Sequence, residues 1–256
     1  MFDLTGRRGL VTGAAGGIGY AVASALSNAG ASIAIADIYN PSEAAARLNA
    51  IALECDVSSE ISVQSTLQAA SEVLKGPLDF VVLNAGIGDV GPAITELPNE
   101  LLEKVTKVNY WGVAYGLKHA PSVMNNGGAI VSTSSMAAYI NVPGASAYSA
   151  SKQAVISLTE MAALELGDRG IRVNCVCPGY TETSMGSGDE GKALCETFTA
   201  LGRVATVEDM AGVFHFLVSD ASRYMTGQAL KVDGGWSCGP TRQLLALVTG
   251  SEQAPS

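Results

Sequence analysis

Aromatic side chains make up only 6% of this 256-residue sequence and charged ones only 15%. With 48% hydrophobic residues and so little charge, the chain has the composition of a packed globule, which argues against disorder and against a coiled coil. Histidine occurs twice, at His119 and His215, which is too few for a zinc site of ordinary composition, so no metal centre is expected. The five cysteines, Cys55, Cys175, Cys177, Cys195 and Cys238, are odd in number and lack CxxC spacing. That pattern argues against a disulfide scaffold and for reduced thiols in a cytoplasmic setting. Cys175 and Cys177 stand two apart in an apolar run and read as small buried hydrophobes. Lys and Arg number 15 against 24 Asp and Glu, giving a formal net charge of −9 without a basic patch, so no nucleic-acid partner is expected. No apolar run approaches the ~18 residues of a transmembrane helix, and residues 1–8 lead into no apolar signal region, so neither a membrane nor a secretory role is expected.

Glycine is plentiful, at 29 residues, and its placement is informative once the elements are assigned. Short runs apolar on both faces, at residues 9–12, 32–37, 50–55, 78–83, 129–133, 172–177 and 228–232, read as buried strands. Between them apolar residues recur at helical spacing, as in Ile18, Val22, Ala25, Leu26 and Ala29, or Ile61, Val63, Leu67, Ala70 and Leu74. Alternating strands and helices predict an α/β fold: a single doubly wound Rossmann-type domain with a parallel sheet of about seven strands and helices on both faces. That domain is expected over residues 1–238, with a C-terminal extension over 239–256.

In such a fold ligands sit beyond the carboxyl ends of the strands. After the first strand comes Thr12-Gly13-Ala14-Ala15-Gly16-Gly17-Ile18-Gly19, where absent side chains let backbone approach a pyrophosphate at a helix N-terminus. The spacing GxxxGxG also suits a glycine-rich turn with no ligand; its position after the first strand, with Asp37 closing the second, favours a dinucleotide. A carboxylate there accepts hydrogen bonds from an adenosine ribose, although a turn or N-cap role is also open to Asp37. A 2′-phosphate beside it would meet like charge at a cost on the order of 1–4 kcal/mol, and no Arg or Lys follows before Arg47, so NAD is expected rather than NADP.

Chemistry points to the stretch from Ser134 to Lys152, which joins a strand end to a helix predicted over residues 148–166. Tyr148 and Lys152 are i and i+4 on one helical face. An ammonium there would help lower the Tyr148 pKa from about 10, a change that takes roughly 3–4 kcal/mol of differential stabilisation. Alone, the spacing also fits an accidental helical pair with a solvated lysine.

Taken together, these stretches resemble the short-chain dehydrogenase/reductase family in its common single-domain form. The resemblance runs from about Leu4 to Gly235 and rests on the glycine motif, Asn84-Ala85-Gly86, Asn109-Tyr110-Trp111-Gly112, Ser135, Tyr148-Ser-Ala-Ser-Lys152 and Arg172-Val-Asn-Cys-Val-Cys-Pro178-Gly179. It implies a catalytic tetrad of Asn109, Ser135, Tyr148 and Lys152. Tyr148 would be the general base or acid, Ser135 would hold the substrate oxygen, Lys152 would tune Tyr148 and bind the nicotinamide ribose, and Asn109 would hold a relay water through its main chain. The resemblance further places Gly13, Gly17, Ile18, Gly19, Asp37, Asp56, Val57, Asn84, Ala85, Gly86, Tyr148, Lys152, Pro178, Gly179 and Thr183 around the cofactor. Leu83 departs from the family, where a second asparagine often precedes Asn84.

The implied function is hydride transfer between NAD and a secondary alcohol or its ketone, with oxidation of a small or medium neutral alcohol favoured. A lid over residues 184–202 would close the pocket, and Tyr139, Ile140, Asn141, Val142 and Tyr180 would supply walls. Two alternatives stand beside it: a 3-ketoacyl-type reductase using NADPH, and a non-catalytic dinucleotide-sensing regulator. A homo-oligomer, tetramer or dimer, is implied through the helix carrying Tyr148 and the one before it, residues 98–119.

Overall fold

Runs of Val, Ile and Ala that need cover on both faces become the strands of a parallel sheet, and the amphipathic segments between them become its crossovers. In a computed structural model that describes residues 1–88, 91–183 and 189–250, the chain order is β1 (Arg8–Thr12), α1 (Gly17–Asn28), β2 (Ser32–Asp37), α2 (Ser42–Leu48), β3 (Ile51–Glu54), α3 (Glu60–Val73) and β4 (Leu78–Leu83). It continues with α4 (Asn99–Thr106), α5 (Gly112–His119), β5 (Met124–Thr133), α6 (Ser146–Glu165), β6 (Arg172–Pro178), α7 (Asp189–Phe198), α8 (Val207–Val218), β7 (Ala229–Val232) and α9 (Arg242–Thr249). The strands form one sheet in the order β3-β2-β1-β4-β5-β6-β7, every neighbouring pair parallel. Strand order reverses direction at β1 and β4, so the crevice for a ligand opens beyond Thr12 and Leu83.

Each face of the sheet carries its own apolar layer. On one, Val11, Ile33, Ile35 and Val82 pack with Val22 and Leu26 of α1 and Met210, Phe214 and Leu217 of α8. On the other, Leu10, Val81, Ile130 and Val173 pack with Leu67 of α3, Leu117 of α5 and Val155 of α6. Full burial of such a side chain stabilises by about 1.5–3 kcal/mol, so these layers fix the strand ends that carry the site. Among the described residues no helix is long and apolar enough to cross a membrane.

Three local elements differ from expectation. β3 is shorter at both ends than residues 50–55. β5 begins at Met124 rather than Ala129, because Leu78 pairs with Met124 and Phe80 with Ala129 across an irregularity through Asn125-Asn126-Gly127-Gly128; its polar and glycine residues read as a turn. The helix expected over 98–119 is divided by a π-helical turn, Lys107–Trp111, in which the Gly112 N–H donates to the Lys107 carbonyl. Leu83, in place of the family's asparagine, fills space against α5, since a Cβ on Gly116 would stand 2.4 Å from its Cδ2.

Candidate active site

The end of β1 is stitched to the end of β4. Thr12 Oγ1 accepts from the backbone N–H groups of Asn84 (3.0 Å) and Ala85 (3.2 Å). The Asn84 amide donates to the Thr12 and Gly13 carbonyls, 3.2 Å each, and its Oδ1 accepts from the Thr133 hydroxyl at 3.1 Å. This close stacking leaves no room for side chains: a Cβ on Gly13 would lie 2.6 Å from Ala85 Cα, and one on Gly19 2.1 Å from the Gly13 carbonyl oxygen. The outer side of the same turn is open at Gly16, where a Cβ would meet nothing within 4 Å. Behind it, the N-terminus of α1, with Ile18 in its first turn, has neither a side-chain cap nor an acidic residue. Open backbone before uncapped N–H groups suits a pyrophosphate, so the residues present fit a dinucleotide. Thr183 closes the far side, its Cγ2 3.4 Å from where a Gly17 Cβ would be.

Asp37 does more than end β2. One carboxylate oxygen accepts from the Ala15 N–H (3.0 Å) and the other from the Tyr39 N–H (3.2 Å), so the carboxylate also holds the glycine turn. Asp56 accepts from the Ser58 N–H and hydroxyl at 2.9 and 2.7 Å, ahead of the Ser59 cap of α3, and Val57 packs where Gly112 has no side chain. Across the crevice, Gly179 donates to the Val232 carbonyl at 2.9 Å; a Cβ on it would stand 2.8 Å from Asp233 Cα, which keeps Pro178 and Gly179 against β7.

The neighbouring serines after β5 point to different partners. Ser134 donates to the Lys152 carbonyl at 2.7 Å, whereas Ser135 accepts from the Ala137 N–H at 3.1 Å and stands close enough to the Tyr148 hydroxyl to draw its pKa down. Lys152 is 3% exposed, and its Nζ donates to the Thr133 carbonyl at 2.9 Å and lies over the Tyr148 ring, 5.7 Å from its centroid. Burial pushes the ammonium down to about 8. Burial also raises the Tyr148 hydroxyl above 10.0, against the neighbouring Ser135 side chain, which draws it down. This corrects the expected lowering of Tyr148 by Lys152: the ammonium sits over the ring face rather than beside the hydroxyl, and desolvation of the phenol outweighs it. Asn109 is fully buried on the π-helical turn, its Oδ1 accepting from the Ile87 N–H at 2.8 Å. A Cβ on Gly86 would stand 3.2 Å from both Asn109 Oδ1 and Lys152 Nζ, so the Asn84-Ala85-Gly86 turn passes between these two groups.

On the substrate side, Tyr139 is engaged by Lys231, whose Nζ is 4.2 Å from its ring centroid. Of the expected lid, residues 184–188 lie outside the described residues. The far end of α7 is anchored: Phe198 stacks on Trp236 (5.2 Å, 12°), which stacks on Tyr180 (5.7 Å, 17°), and Leu201 donates to the Gly234 carbonyl at 3.2 Å. In the C-terminal extension, Thr241 caps α9 and its hydroxyl donates to the Thr197 carbonyl of α7; residues 251–256 lie outside the described residues. Thr12, Thr133, Ser134, Trp236 and Phe198 were not singled out from sequence. Thr12 and Ser134 adjoin motif residues, but their roles depend on which strand ends become neighbours.

A family model described as enoyl-(acyl carrier protein) reductase matches residues 13–237. Borneol dehydrogenase, mitochondrial, from Lavandula x intermedia is 40% identical over 244 residues, covering 91% of this chain and 92% of that protein. L-2,3-butanediol dehydrogenase from Corynebacterium glutamicum is 36% identical over 251 residues, covering 88% and 96%. The crystal structure of a short-chain type dehydrogenase/reductase from Mycobacterium marinum superposes with a TM-score of 0.88 at 35% identity, covering 93% of this chain and 98% of that one.

Proposed function

The chain belongs to the short-chain dehydrogenase/reductase family, and on that premise we propose that it uses NAD to oxidise small or medium neutral secondary alcohols. It is an NAD(P)-dependent oxidoreductase acting on CH–OH groups. The observation that carries the proposal is the convergence of Ser135, close enough to the Tyr148 hydroxyl to draw its pKa down, with the buried Lys152 nitrogen over the Tyr148 ring, in a fold that also has an open glycine turn after β1.

Gly13, Gly17, Ile18 and Gly19 would hold the pyrophosphate, with Asp56, Val57, Asn84, Ala85 and Gly86 along the adenosine side. Pro178, Gly179 and Thr183 would hold the nicotinamide end. When bound, the nicotinamide supplies or accepts the hydride. Tyr148 takes the hydroxyl proton of the alcohol as general base, or returns it in ketone reduction, while Ser135 holds the same oxygen. Lys152 offers its remaining N–H donors to ribose hydroxyls, and the Asn109 main chain would hold a water that relays protons from Lys152 to solvent. NAD is favoured over NADP because Asp37 sits half-buried at the end of β2, where a second anion would meet it directly.

A neutral alcohol suits the walls on the substrate side, which are aromatic at Tyr180, Phe198 and Trp236. The names of the two relatives give borneol and 2,3-butanediol, both neutral secondary alcohols. The chain is taken as one catalytic domain with a lid over 184–202 and a C-terminal extension, assembled as a homotetramer or dimer. Exposed Trp111, Met161 and Leu164 on the helices expected at that interface support assembly, and the free cysteines suit the cytoplasm. A panel of neutral secondary alcohols with NAD tests the activity. Tyr148→Phe should lower kcat by about 10³-fold with the fold intact by circular dichroism, whereas equal inertness of both proteins across the panel would remove the enzymatic assignment.

A further inference from the structure

The first turns of α6 hold two buried serines besides the residues already assigned, and they differ. Ser149 Oγ has no hydrogen-bond partner, while Ser151 Oγ has two: it donates to the Tyr148 carbonyl at 2.7 Å and accepts from Asn109 Nδ2 at 3.2 Å. Ser151 is 5% exposed, so neither bond is readily replaced by water.

Asn109 sits at the other end of this link. Its side-chain amide pairs with the Ile87 main chain in both directions, Oδ1 accepting from the N–H at 2.8 Å and Nδ2 donating to the carbonyl at 2.9 Å. A residue in a π-helical turn is held less regularly than one in an α-helix, because the ladder around it is widened by one residue. The side chain of Asn109 therefore fixes the turn to the Ile87 loop, and Ser151 fixes the same turn to α6. Between them passes Gly86, where a Cβ would stand a tight 3.2 Å from both Asn109 Oδ1 and Lys152 Nζ, so a displacement of Asn109 is felt at Lys152.

We propose that Ser151 is a positioning residue: its hydroxyl ties the Asn109 amide to the Tyr148 carbonyl and so keeps the Lys107–Trp111 turn in register with the Tyr148–Lys152 face of α6. It touches neither substrate nor cofactor and acts through Asn109 and Tyr148. Ser151 matters in this way only if Tyr148 carries the proton transfer proposed above, so Tyr148→Phe is measured alongside.

Steady-state kinetics with NAD and a turned-over secondary alcohol, over a range of pH, provide the test. Ser151→Ala should lower kcat about tenfold, leave KM for both substrates within about twofold, and shift the pH at which kcat is half-maximal, with melting within about 5 °C of the parent. Ser151→Thr keeps the hydroxyl and should recover most of kcat. If Ser151→Ala does not fold, the near-isosteric Ser151→Cys, a poor donor, is compared with Ser151→Thr by the same kinetic split. A kcat within twofold and an unmoved pH profile in Ser151→Ala would overturn the proposal. So would a joint fall of kcat and melting temperature that Ser151→Thr does not reverse, because that is a purely structural role. Retention of parental turnover by Tyr148→Phe would instead overturn the assignment of Tyr148 itself.

Discussion

Around the β1–β4 switch point the crevice is walled by main chain and short side chains, with Thr12 bound to Asn84, Asn84 to Gly13 and Asp37 to Ala15. On the opposite side the wall changes character: Tyr180 and Phe198 each stack on Trp236, and the three are carried by separate segments, the loop after β6, the end of α7 and the turn after β7. The first half presents donors and acceptors at fixed positions, which suits a ligand whose chemistry never varies. The second presents area rather than hydrogen bonds, so its shape is set by which rings meet. One fold can thus hold a constant cofactor while its substrate side diverges.

The contrast is broken most severely by removing the chemistry shared by both halves, and Tyr148→Phe is accordingly the largest effect expected. Next comes the cofactor half. A Cβ at Gly19 would lie 2.1 Å from the Gly13 carbonyl oxygen, a backbone atom with little freedom to give. Gly19→Ala should weaken NAD binding by about 10–100-fold, corresponding to roughly 1–3 kcal/mol of overpacking, read by fluorescence titration. An unchanged Kd would show that the turn is not the binding surface.

A smaller effect spans both halves. Tyr148 is raised above 10.0, so its base form is gained as pH rises, whereas Lys152, lowered to about 8, loses its ammonium over the same direction. These opposed titrations predict a bell-shaped kcat/KM for alcohol oxidation with its maximum above pH 8 and a fall on either side. A profile that declines steadily from pH 6 to 9 would contradict that assignment. The smallest effect belongs to the substrate half: Thr241→Val removes the hydroxyl that donates to the Thr197 carbonyl and caps α9. It should change KM for the alcohol by about twofold to fivefold, about 0.5–1 kcal/mol, and leave the KM for NAD unmoved.

How much could be read in advance follows the same division. The strands were legible because a parallel sheet demands side chains apolar on both faces, and Leu78–Leu83 and Ser32–Asp37 fall where that run begins and ends. The early start of β5 was not, since Asn125 to Gly128 carry no strand signal and are held by pairing on either side of the irregularity. Nor was the π-helical turn at Asn109, because a single widened turn leaves the apolar spacing of 98–119 almost unchanged. At the site, the glycine turn and the Tyr148–Lys152 pair are local patterns and could be found by spacing. The separate duties of Ser134 and Ser135, the stitching by Thr12 and the stack on Trp236 require the topology, as they join residues far apart in sequence. The direction of the Tyr148 shift is not legible in the sequence for a related reason: i and i+4 spacing gives proximity, whereas burial and the placement of the ammonium over the ring decide the sign.

The carboxylate of Asp37, set by its bonds to Ala15 and Tyr39, is the feature on which the proposed NAD preference rests. Its most direct test is the ratio of kcat/KM with NAD to kcat/KM with NADP for one secondary alcohol, measured for the native protein and for Asp37→Ser. A like-charge cost of about 1–4 kcal/mol predicts a native ratio of about fivefold or more in favour of NAD, collapsing toward unity in Asp37→Ser. Comparable kcat/KM for the two cofactors in the native protein would contradict it.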